Sequence, residues 1–506
     1  MQLVFPAADL ATNDDPGTGD AGQTLTVTQV SATGSTHGTV NLASGTITYS
    51  PAGNYNGPAS FTYQVCDNGT TNGAPVPKCA NATVNVTVFA INDAPVAGDD
   101  TALAVSGLPA NIAVLANDSD VDGDTLSIQS VTSPAHGTAT IANTTITYTS
   151  TGPFSPSDAF DYTVSDNHGG TAVGHVSVSI TGKLAITADY GSNTVTLIDW
   201  TTGSVTGTLQ YPVSSSLLGA TVTFDGQLGL VASYNYGTVN VIDLGAQPPS
   251  ASPPALSVST APNPESVGVT PDGRYAIVAD GGGATTLSSF DLQTRSVVNT
   301  VSGLPAVQAV AVTPDGSLAL LVGVNTNEVG VLTVSNTGVL ADSGQRITLA
   351  GSAGGPRSIA ITPNGKLALV TDKGSNLLTV LSISGATVTL AGSIPNLGNQ
   401  VSGIAVTPDG LKAYVSSYLD SMVAVLSINP TTNVVTDTAV RITVPDGTPA
   451  TWIGVPGLAV TPDGGRLYVA SGSTNKISIV DTSTDAIVST ITVGSQPAGI
   501  GMPGRR

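Results

Sequence analysis

The sequence predicts an all-β protein, and three observations lead to that prediction. Thr, Val, Ser and Ala dominate the 506 residues, whereas aromatic residues make up 4% and charged residues 9%, a composition that favours short strands over helices. The chain contains 58 Gly and 32 Pro, an excess that fits many tight turns. Finally, two different internal repeats divide the chain, and both consist of alternating apolar and polar stretches separated by turns.

The first repeat is a module that occurs twice within residues 1–182. "NDDPGTGDAGQTLTV" at Asn13 corresponds to "NDSDVDGDTLSI" at Asn117, and "ITYSPAGNYNGPASFTYQVCDNG" corresponds to "ITYTSTGPFSPSDAFDYTVSDNHGG". Period-two alternation between Gly, Asn and Asp turns is typical of a β-sandwich. These segments resemble the cadherin-like, Ig-like tandem repeats of large bacterial surface adhesins. The resemblance implies two extracellular stalk or adhesion modules, over residues 1–91 and 92–182.

The two modules differ at their beginnings. The second has the stretch "DAPVAGDDTALAVSGL" before "PANIAVLANDSD", whereas the first begins at the counterpart of that later segment, "LVFPAADLATND". We therefore expect the first module to lack its opening strand and to expose a strand edge. Two explanations stay open: the chain is a fragment of a longer adhesin, or neighbouring subunits fill the groove and build a filament.

The second repeat is marked by "TPDG" or a close variant at Thr223, Thr270, Thr313, Thr362, Thr407 and Thr461. The spacings of 43 to 54 residues fit a four-stranded propeller blade, which takes about 40–50 residues. The repeat looks like the YVTN-type β-propeller family. Leu184–Leu209 is a further unit without its first strand, so we predict a seven-bladed propeller over residues 183–506. We expect Pro497–Met502 to supply that strand beside Leu184–Tyr190.

The repeated Pro-Asp-Gly is predicted to be scaffolding. Proline presets φ for the first central position of a β-turn, and glycine accepts a positive φ. The candidate ligand positions lie instead at the starts of the inner strands, around the central channel. The charged or amide-bearing residues there are Glu265, Gln308 and Arg357. The sequence favours a solvated channel mouth without a specific ligand, and the alternative is that Glu265 and Arg357 pair with each other or with a polar ligand.

An acidic loop in the second module is the candidate metal site. Asn117, Asp118, Asp120, Asp122 and Asp124 place oxygen ligands along the loop, which fits the hard oxygen ligands that Ca²⁺ takes. The linker residues Asn92, Asp93, Asp99 and Asp100 are candidates for further ligands. The alternative is an Asx-rich turn that satisfies its own backbone.

Two cysteines, Cys66 and Cys79, end two alternating runs that resemble a hairpin pair. Facing cysteines there would form a disulfide, which suits an oxidising compartment; the alternative is two free buried thiols.

Charge and histidine content exclude several functions. The net charge is −20 with 14 basic residues, so the sequence offers no basic cluster for nucleic acid, and no apolar run is long enough to span a membrane. All four histidines lie before residue 183, which argues against histidine chemistry in the propeller. We predict no catalytic residues and a non-enzymatic extracellular or cell-surface protein, an adhesin or scaffold that binds other surface proteins, glycans or its own copies. The alternatives are a filament or sheath subunit and a propeller enzyme or glycan-binding lectin.

Overall fold

The computed structural model describes residues 2–504 except for residues 18–21, 72–73, 152–154, 247–248, 252–255, 258–262, 282–284, 324–325, 352–354 and 445–456. Strands form nearly all of the regular structure, which confirms the predicted fold class. The helices of the described residues are short 3₁₀ segments at Ala7–Asn13, Val114–Ala116 and Tyr234–Tyr236. Within those residues no helix has the length and apolar character required to span a membrane.

The first module is a sandwich of two three-stranded sheets. Its strands are β1 (Leu3–Pro6), β2 (Thr26–Ala32), β3 (Gly38–Ala43), β4 (Thr46–Pro51), β5 (Gly57–Cys66), β6 (Thr70–Thr71), β7 (Ala74–Pro75) and β8 (Cys79–Val88). One sheet has the order β1-β4-β3 and the other β2-β5-β8, while β6 and β7 form a small hairpin. Alternate side chains of β4 and β5 point inward, so Ile47, Tyr49 and Phe61 form the fully buried core.

The second module repeats this plan with one more strand. Its strands are β9 (Asp100–Val105), β10 (Pro109–Ile112), β11 (Ser127–Val131), β12 (Gly137–Ala142), β13 (Thr145–Ser150), β14 (Ser157–Ser165) and β15 (Thr171–Thr181). The sheets have the orders β10-β13-β12 and β11-β14-β15-β9, with β9 parallel to β15. Tyr148 and Tyr162 are buried in its core and donate hydrogen bonds to Asp158 and Asp118.

The propeller follows, and its first two blades are the least regular. Blade 1 contains β16 (Leu184–Asp189), β17 (Thr194–Asp199) and β18 (Ser204–Gln210). Blade 2 contains β19 (Leu217–Val222), β20 (Leu228–Ser233) and β21 (Thr238–Asp243), and its outer edge is formed by β22 (Ser250–Ala251) and β23 (Leu256–Ser257).

Blades 3 to 7 each contain four antiparallel strands in sequence order. Blade 3 is β24 (Pro264–Val269), β25 (Tyr275–Asp280), β26 (Leu287–Asp291) and β27 (Ser296–Val301). Blade 4 is β28 (Val307–Val312), β29 (Leu318–Gly323), β30 (Glu328–Val334) and β31 (Leu340–Thr348). Blade 5 is β32 (Pro356–Ile361), β33 (Leu367–Asp372), β34 (Leu377–Ser384) and β35 (Thr387–Pro395). Blade 6 is β36 (Val401–Val406), β37 (Lys412–Ser417), β38 (Met422–Asn429) and β39 (Val434–Thr443). Blade 7 is β40 (Leu458–Val460), β41 (Arg466–Ser471), β42 (Lys476–Asp481) and β43 (Ala486–Thr492).

The last strand closes the ring. β44 (Pro497–Gly501) is antiparallel to β16, with Asp189 opposite Pro497 and Ile186 opposite Gly501. This confirms the prediction that the C-terminal segment supplies the missing inner strand of blade 1. The apolar cores lie between neighbouring blades, and the core between blades 7 and 1 includes Trp200, Tyr468 and Ile500.

The repeated Thr-Pro-Asp-Gly motif forms a self-contained turn after each inner strand. In blade 3 the Thr270 hydroxyl donates to Asp272 Oδ1 at 2.5 Å and accepts from the Tyr275 amide at 3.0 Å. Gly273 has a φ of +72° and donates its amide to the Thr270 carbonyl at 2.8 Å. The same pattern recurs at Thr313, Thr362, Thr407 and Thr461. The motif therefore satisfies its own polar groups, which confirms its predicted role as scaffolding.

The second module contacts the propeller at this turn-bearing face. The Gly182 amide donates to the Asp225 carbonyl at 2.9 Å, and the Trp200 indole donates to the Gly182 carbonyl at 3.1 Å. Gly182 lies so close to the Gly226 carbonyl that a Cβ on it would be 2.6 Å from that oxygen. The two domains therefore meet at the turns of blades 1 and 2.

Candidate functional site

The channel mouth at the start of the inner strands is the candidate site. The residues five positions before each turn threonine, and the equivalent residue of β44, lie at one level around the channel: Leu218, Glu265, Gln308, Arg357, Ser402 and Ala498. The seventh equivalent, Pro456, lies outside the described residues. Closure of the ring therefore places the predicted residues of blades 3, 4 and 5 side by side.

Glu265, Gln308 and Arg357 form a hydrogen-bonded chain across these three blades. The Gln308 amide donates to Glu265 Oε2, and Arg357 Nη1 donates to Gln308 Oε1 at 3.2 Å. Glu265 and Gln308 are only 3% and 5% exposed. The sequence offers Glu265 and Arg357 as partners for each other or for a polar ligand, and in the structure Gln308 connects the two. A buried carboxylate and a guanidinium are therefore held at fixed positions on either side of an amide.

A second group of charges surrounds Arg357. Burial lowers the pKa of Arg357, while the charges of Glu265 and Asp372 oppose that change. Asp372 is fully buried and accepts a hydrogen bond from the Ser375 amide at 2.7 Å; burial raises its pKa. Burial, and then the Arg357 charge, lowers the pKa of Lys373. This side of the mouth thus contains two cations, both partly desolvated.

The opposite side of the mouth is aromatic and apolar. Leu218 and Ala498 are buried and pack with Tyr234. Burial raises the pKa of Tyr234, and the Glu265 charge and then Tyr190 add to the effect. A molecule at the mouth would meet an apolar and phenolic surface on one side and the Arg357–Lys373 cations on the other.

The channel below this level is narrow. Its cavity has a volume of about 220 Å³ and is lined by small or apolar residues of the inner strands, including Gly219, Ser266, Val310, Ser358 and Gly501. Ligand sites usually have about 300–1,000 Å³. The channel cavity is smaller than this range, whereas a cavity of about 710 Å³ lies at the opposite, turn-bearing end of the channel, lined by Phe224, Pro271 and Pro314 among others.

Sequence reasoning missed the buried carboxylates at the ends of the second strands. Asp189, Asp280 and Asp372 are each 0% exposed and recur in "AITAD", "AIVAD" and "ALVTD", a signal that aligning the repeats would have revealed. Asp189 accepts hydrogen bonds from Thr187, Thr194 and Thr196, so its role is structural. Asp372 is the one of these three that lies beside Arg357.

The acidic loop of the second module gathers three of its predicted ligands. Asp120, Asp122 and Asp124 each place a carboxylate oxygen within 4.8 Å of the others. Asp118 is directed elsewhere, since it accepts hydrogen bonds from the Tyr162 hydroxyl and the Gly98 amide. Asn117 donates to the Asp99 carbonyl at 2.9 Å. The loop thus has a core of three carboxylates, and calcium binding there stays a prediction.

Cys66 and Cys79 lie directly opposite each other on β5 and β8. Their Cα atoms are 4.1 Å apart and a disulfide joins them. The bond ties the outer strand β8 to the centre of its sheet.

Two family models match the chain. Residues 3–87 and 92–179 match the bacterial Ig domain family. Residues 213–400 match the family described as lactonase, seven-bladed β-propeller, and this segment includes Glu265, Gln308 and Arg357. A search of curated proteins found no significant match.

Solved structures with the same propeller fold include three that cover nearly two thirds of this chain. A functionally unknown protein from Desulfotomaculum acetoxidans has a TM-score of 0.57 and 19% identity, and the alignment covers 64% of this chain and 100% of that one. A protein from Bacteroides uniformis, provisionally described as a 6-phosphogluconolactonase, has a TM-score of 0.53 and 17% identity, over 63% and 98% of the chains. The periplasmic gluconolactonase PpgL of Pseudomonas aeruginosa has a TM-score of 0.50 and 17% identity, over 63% and 98%.

The match to the lactonase family corrects the functional prediction from the sequence. The predicted non-enzymatic adhesin or scaffold is wrong, because residues 213–400 of the propeller match a family described as lactonase. Hydrolysis does not require histidine, since a carboxylate can act as a general base and a guanidinium can stabilise developing negative charge. The chain therefore has an Ig-like tandem that matches the bacterial Ig domain family, followed by a β-propeller of which residues 213–400 match the seven-bladed lactonase family.

Proposed function

We propose that the propeller is a hydrolase that opens a cyclic ester, a lactone, at its channel mouth. The buried Glu265–Gln308–Arg357 chain carries this proposal, because it lies within the segment that matches the lactonase family. Adhesion would not require a carboxylate to be buried beside an amide and a guanidinium at the channel mouth.

In the proposed reaction, Glu265 acts as the general base. Its carboxylate removes a proton from a water molecule, and the water oxygen bonds to the lactone carbonyl carbon. Arg357 stabilises the negative charge that develops on the carbonyl oxygen. The ring C–O bond then breaks, the alkoxide leaving group takes up the proton, and the product is a hydroxy acid. Gln308 holds the carboxylate and the guanidinium at a fixed separation, which avoids their collapse into a direct ion pair.

The surroundings of the mouth favour a sugar-derived lactone with an anionic substituent. Tyr234 and Leu218 offer a surface for the sugar ring, and Lys373 adds a second cation near Arg357. Two solved structures of the same fold bear the names 6-phosphogluconolactonase and gluconolactonase, which adds support for an aldonolactone. We therefore expect the phosphorylated glucono-lactone to be preferred over the unphosphorylated one.

Proton release measured in a pH-stat tests this function, with the spontaneous hydrolysis of each lactone subtracted. We expect Glu265→Gln to lower kcat/KM by about 10²–10⁴-fold and Arg357→Gln to lower it by about 10²–10³-fold. Glu328→Gln and Arg346→Gln are matched controls on blade 4, where Arg346 pairs with Asp342 at 2.7 Å, and they should retain full activity.

Two outcomes would overturn the proposal. The first is turnover that neither site variant reduces while melting curves show all variants folded. The second is saturable sugar binding without ring opening, which would identify the mouth as a binding site only.

We also propose that the chain functions outside the cytoplasm. The Cys66–Cys79 disulfide fits an oxidising compartment, and bacterial Ig domains support exposure at a cell surface. Fractionation of expressing cells checks this, and recovery of the reduced chain from the cytoplasm alone would contradict it.

A further inference from the structure

Two tyrosines lie beside the channel mouth on blades 1 and 2. Tyr190 and Tyr234 each follow directly after the second strand of their blade, a position that Lys373 holds in blade 5. The Tyr190 amide donates to the Gln496 carbonyl at 3.0 Å, just before β44. The Tyr234 amide donates to the Ser216 carbonyl at 3.2 Å, just before β19. Both tyrosines are therefore anchored in the same way, at the level of the mouth.

The aromatic surface extends outward along the loop that enters blade 2. Tyr236 and Val213 are 55% and 83% exposed, and the Tyr236 hydroxyl donates to the Val213 carbonyl at 3.2 Å. The Asn235 side-chain amide donates to the Ser214 carbonyl at 3.0 Å and to the Ser216 hydroxyl at 2.7 Å. These bonds hold the exposed side chains in place. The surface, the tyrosine shelf, consists of Tyr190, Val213, Tyr234 and Tyr236.

The loop under the shelf has an unusual backbone. Ser214 and Ser216 have φ values of +69° and +50°, a region that residues other than Gly, Asn and Asp seldom occupy. Such conformations persist only where the surrounding contacts enforce them, and they cluster at ligand sites. Here the conformation keeps the apolar side chain of Val213 in solvent beside an exposed tyrosine.

The shelf is continuous with the proposed catalytic groups. Tyr234 packs against Leu218, and the next residue, Gly219, lies against the Glu265 carbonyl, where a Cβ would not fit. Burial raises the pKa of Tyr234, and the Glu265 charge adds to the effect. A lactone with its carbonyl carbon beside Glu265 therefore has Tyr234 next to it and the rest of the shelf beyond.

The composition of the shelf indicates the chemistry of its ligand. The loop reads "QYPVSSS" from Gln210 to Ser216 and the helix reads "YNY" from Tyr234 to Tyr236, so neither segment contains a charged residue. Each tyrosine ring offers an apolar face and a polar hydroxyl, and the serine and asparagine side chains add hydrogen-bonding groups. A pyranose ring matches this surface, because one of its faces is apolar and its edge carries hydroxyl groups.

We propose that the tyrosine shelf binds a second sugar unit, linked to the unit that forms the lactone. The proposal rests on the proposed lactonase function and narrows the substrate to the lactone end of a di- or oligosaccharide. The lactone carbonyl lies between Glu265 and Arg357, and the linked sugar stacks on Tyr236 and Val213. The shelf is then a specificity determinant that takes no part in the bond cleavage.

The kinetic test compares glucono-δ-lactone with cellobiono-δ-lactone, which carries one additional glucose unit. We expect the kcat/KM of the full chain to be about tenfold higher for the disaccharide lactone, because the second sugar covers an aromatic ring. Tyr236→Ala and Val213→Ser should reduce the ratio of the two values to about one, whereas Tyr236→Phe, which keeps the ring, should retain it. Val297→Ser on the outer strand β27 is the matched control, since Val297 is 41% exposed, and it should retain the ratio.

A binding measurement allows the shelf and the hydrolase function to fail separately. Cellobiose, which has no lactone ring, is titrated into the wild-type chain and into Tyr236→Ala, and we expect binding that Tyr236→Ala weakens by about tenfold. That result without hydrolysis of either lactone would overturn the hydrolase function and support the sugar site on the shelf.

Three results would overturn the shelf proposal. The first is a wild-type chain that does not bind cellobiose at millimolar concentration. The second is a ratio of kcat/KM values that Tyr236→Ala leaves unchanged. The third is an effect of Tyr236→Ala and Val213→Ser on hydrolysis of the alkyl-substituted δ-decalactone but not of the disaccharide lactone, which would assign the shelf to an acyl chain.

Discussion

Ring closure by β44 leads to a quantitative prediction for Ile500→Ala. Ile500 is 4% exposed and belongs to the core between blades 7 and 1, together with Trp200 and Tyr468. Three carbon atoms are removed, at about 0.8 kcal/mol each, and the remaining cavity brings the expected loss of unfolding free energy to about 3–4 kcal/mol. For a domain of this size about 2 °C of Tm is lost per kcal/mol, so Tm should fall by about 6–8 °C.

Two other isoleucines provide controls for this substitution. Ile404 lies at the same ring position on β36 and is 3% exposed, so Ile404→Ala should cost the same. Ile487 lies on the outer strand β43 and is only half-buried, so Ile487→Ala should cost about 1 kcal/mol. If β44 closes the ring as firmly as an internal strand, Ile500→Ala will match Ile404→Ala.

Tryptophan fluorescence is the assay, because both tryptophans, Trp200 and Trp452, lie after the Ig domains in the sequence. Trp200 also packs in the same core as Ile500. The thermal transition therefore reports on the propeller and not on the Ig domains. A Tm for Ile500→Ala equal to that of Ile487→Ala would refute the closure argument, since it would mean that β44 contributes no more than an outer strand.

Two further predictions concern carboxylates. If calcium binds at Asp120, Asp122 and Asp124, a calcium concentration of 100 Kd should stabilise the second Ig domain by about 2.7 kcal/mol. Thermal melts followed by tyrosine fluorescence in calcium and in EDTA measure this stabilisation, and Asp120→Asn should abolish it. Superimposable melting curves in calcium and in EDTA would contradict calcium binding. Burial raises the pKa of Asp280 to about 6 from 3.8, so its neutral form is favoured in the folded state. The contribution of Asp280 to the free energy of unfolding is fully present below pH 3.8 and is lost as the pH rises through about 6. The total loss is up to about 3 kcal/mol. Asp280→Asn should therefore raise Tm at pH 8 and flatten its pH dependence between pH 4 and 6, whereas parallel pH profiles for variant and wild type would disprove the effect.

The sequence was sufficient to predict the fold because each of its signals is local. The turn at Thr270 satisfies its own hydroxyl, carboxylate and amide groups, so its chemistry can be read from six consecutive residues. Closure by Pro497–Gly501 was predictable for a related reason. Blade 1 lacks an inner strand in the repeat pattern, and the ring geometry leaves one place for the surplus C-terminal strand.

The candidate site was predicted only in part, because it depends on contacts between blades. Aligning the repeats identified Glu265, Gln308 and Arg357 as residues at one level. Tyr234 and Lys373 lie in loops that follow the second strands of their blades. These loops converge on the channel mouth only when the ring is closed. The match to a family described as lactonase could not be anticipated for the same reason: a carboxylate and a guanidinium separated by 92 positions in the sequence have no local pattern that indicates a shared site.

The arrangement of the domains is compatible with a catalytic propeller. The second Ig domain meets the propeller at the turns after the inner strands, through Gly182 and Asp225. Glu265 lies at the beginning of β24, whereas the turn at Thr270 follows its end; an inner strand of this length spans about 17 Å at roughly 3.3 Å per residue. The contact between the domains and the proposed site are therefore on opposite faces. The second Ig domain therefore contacts the propeller on the face that lies away from Glu265.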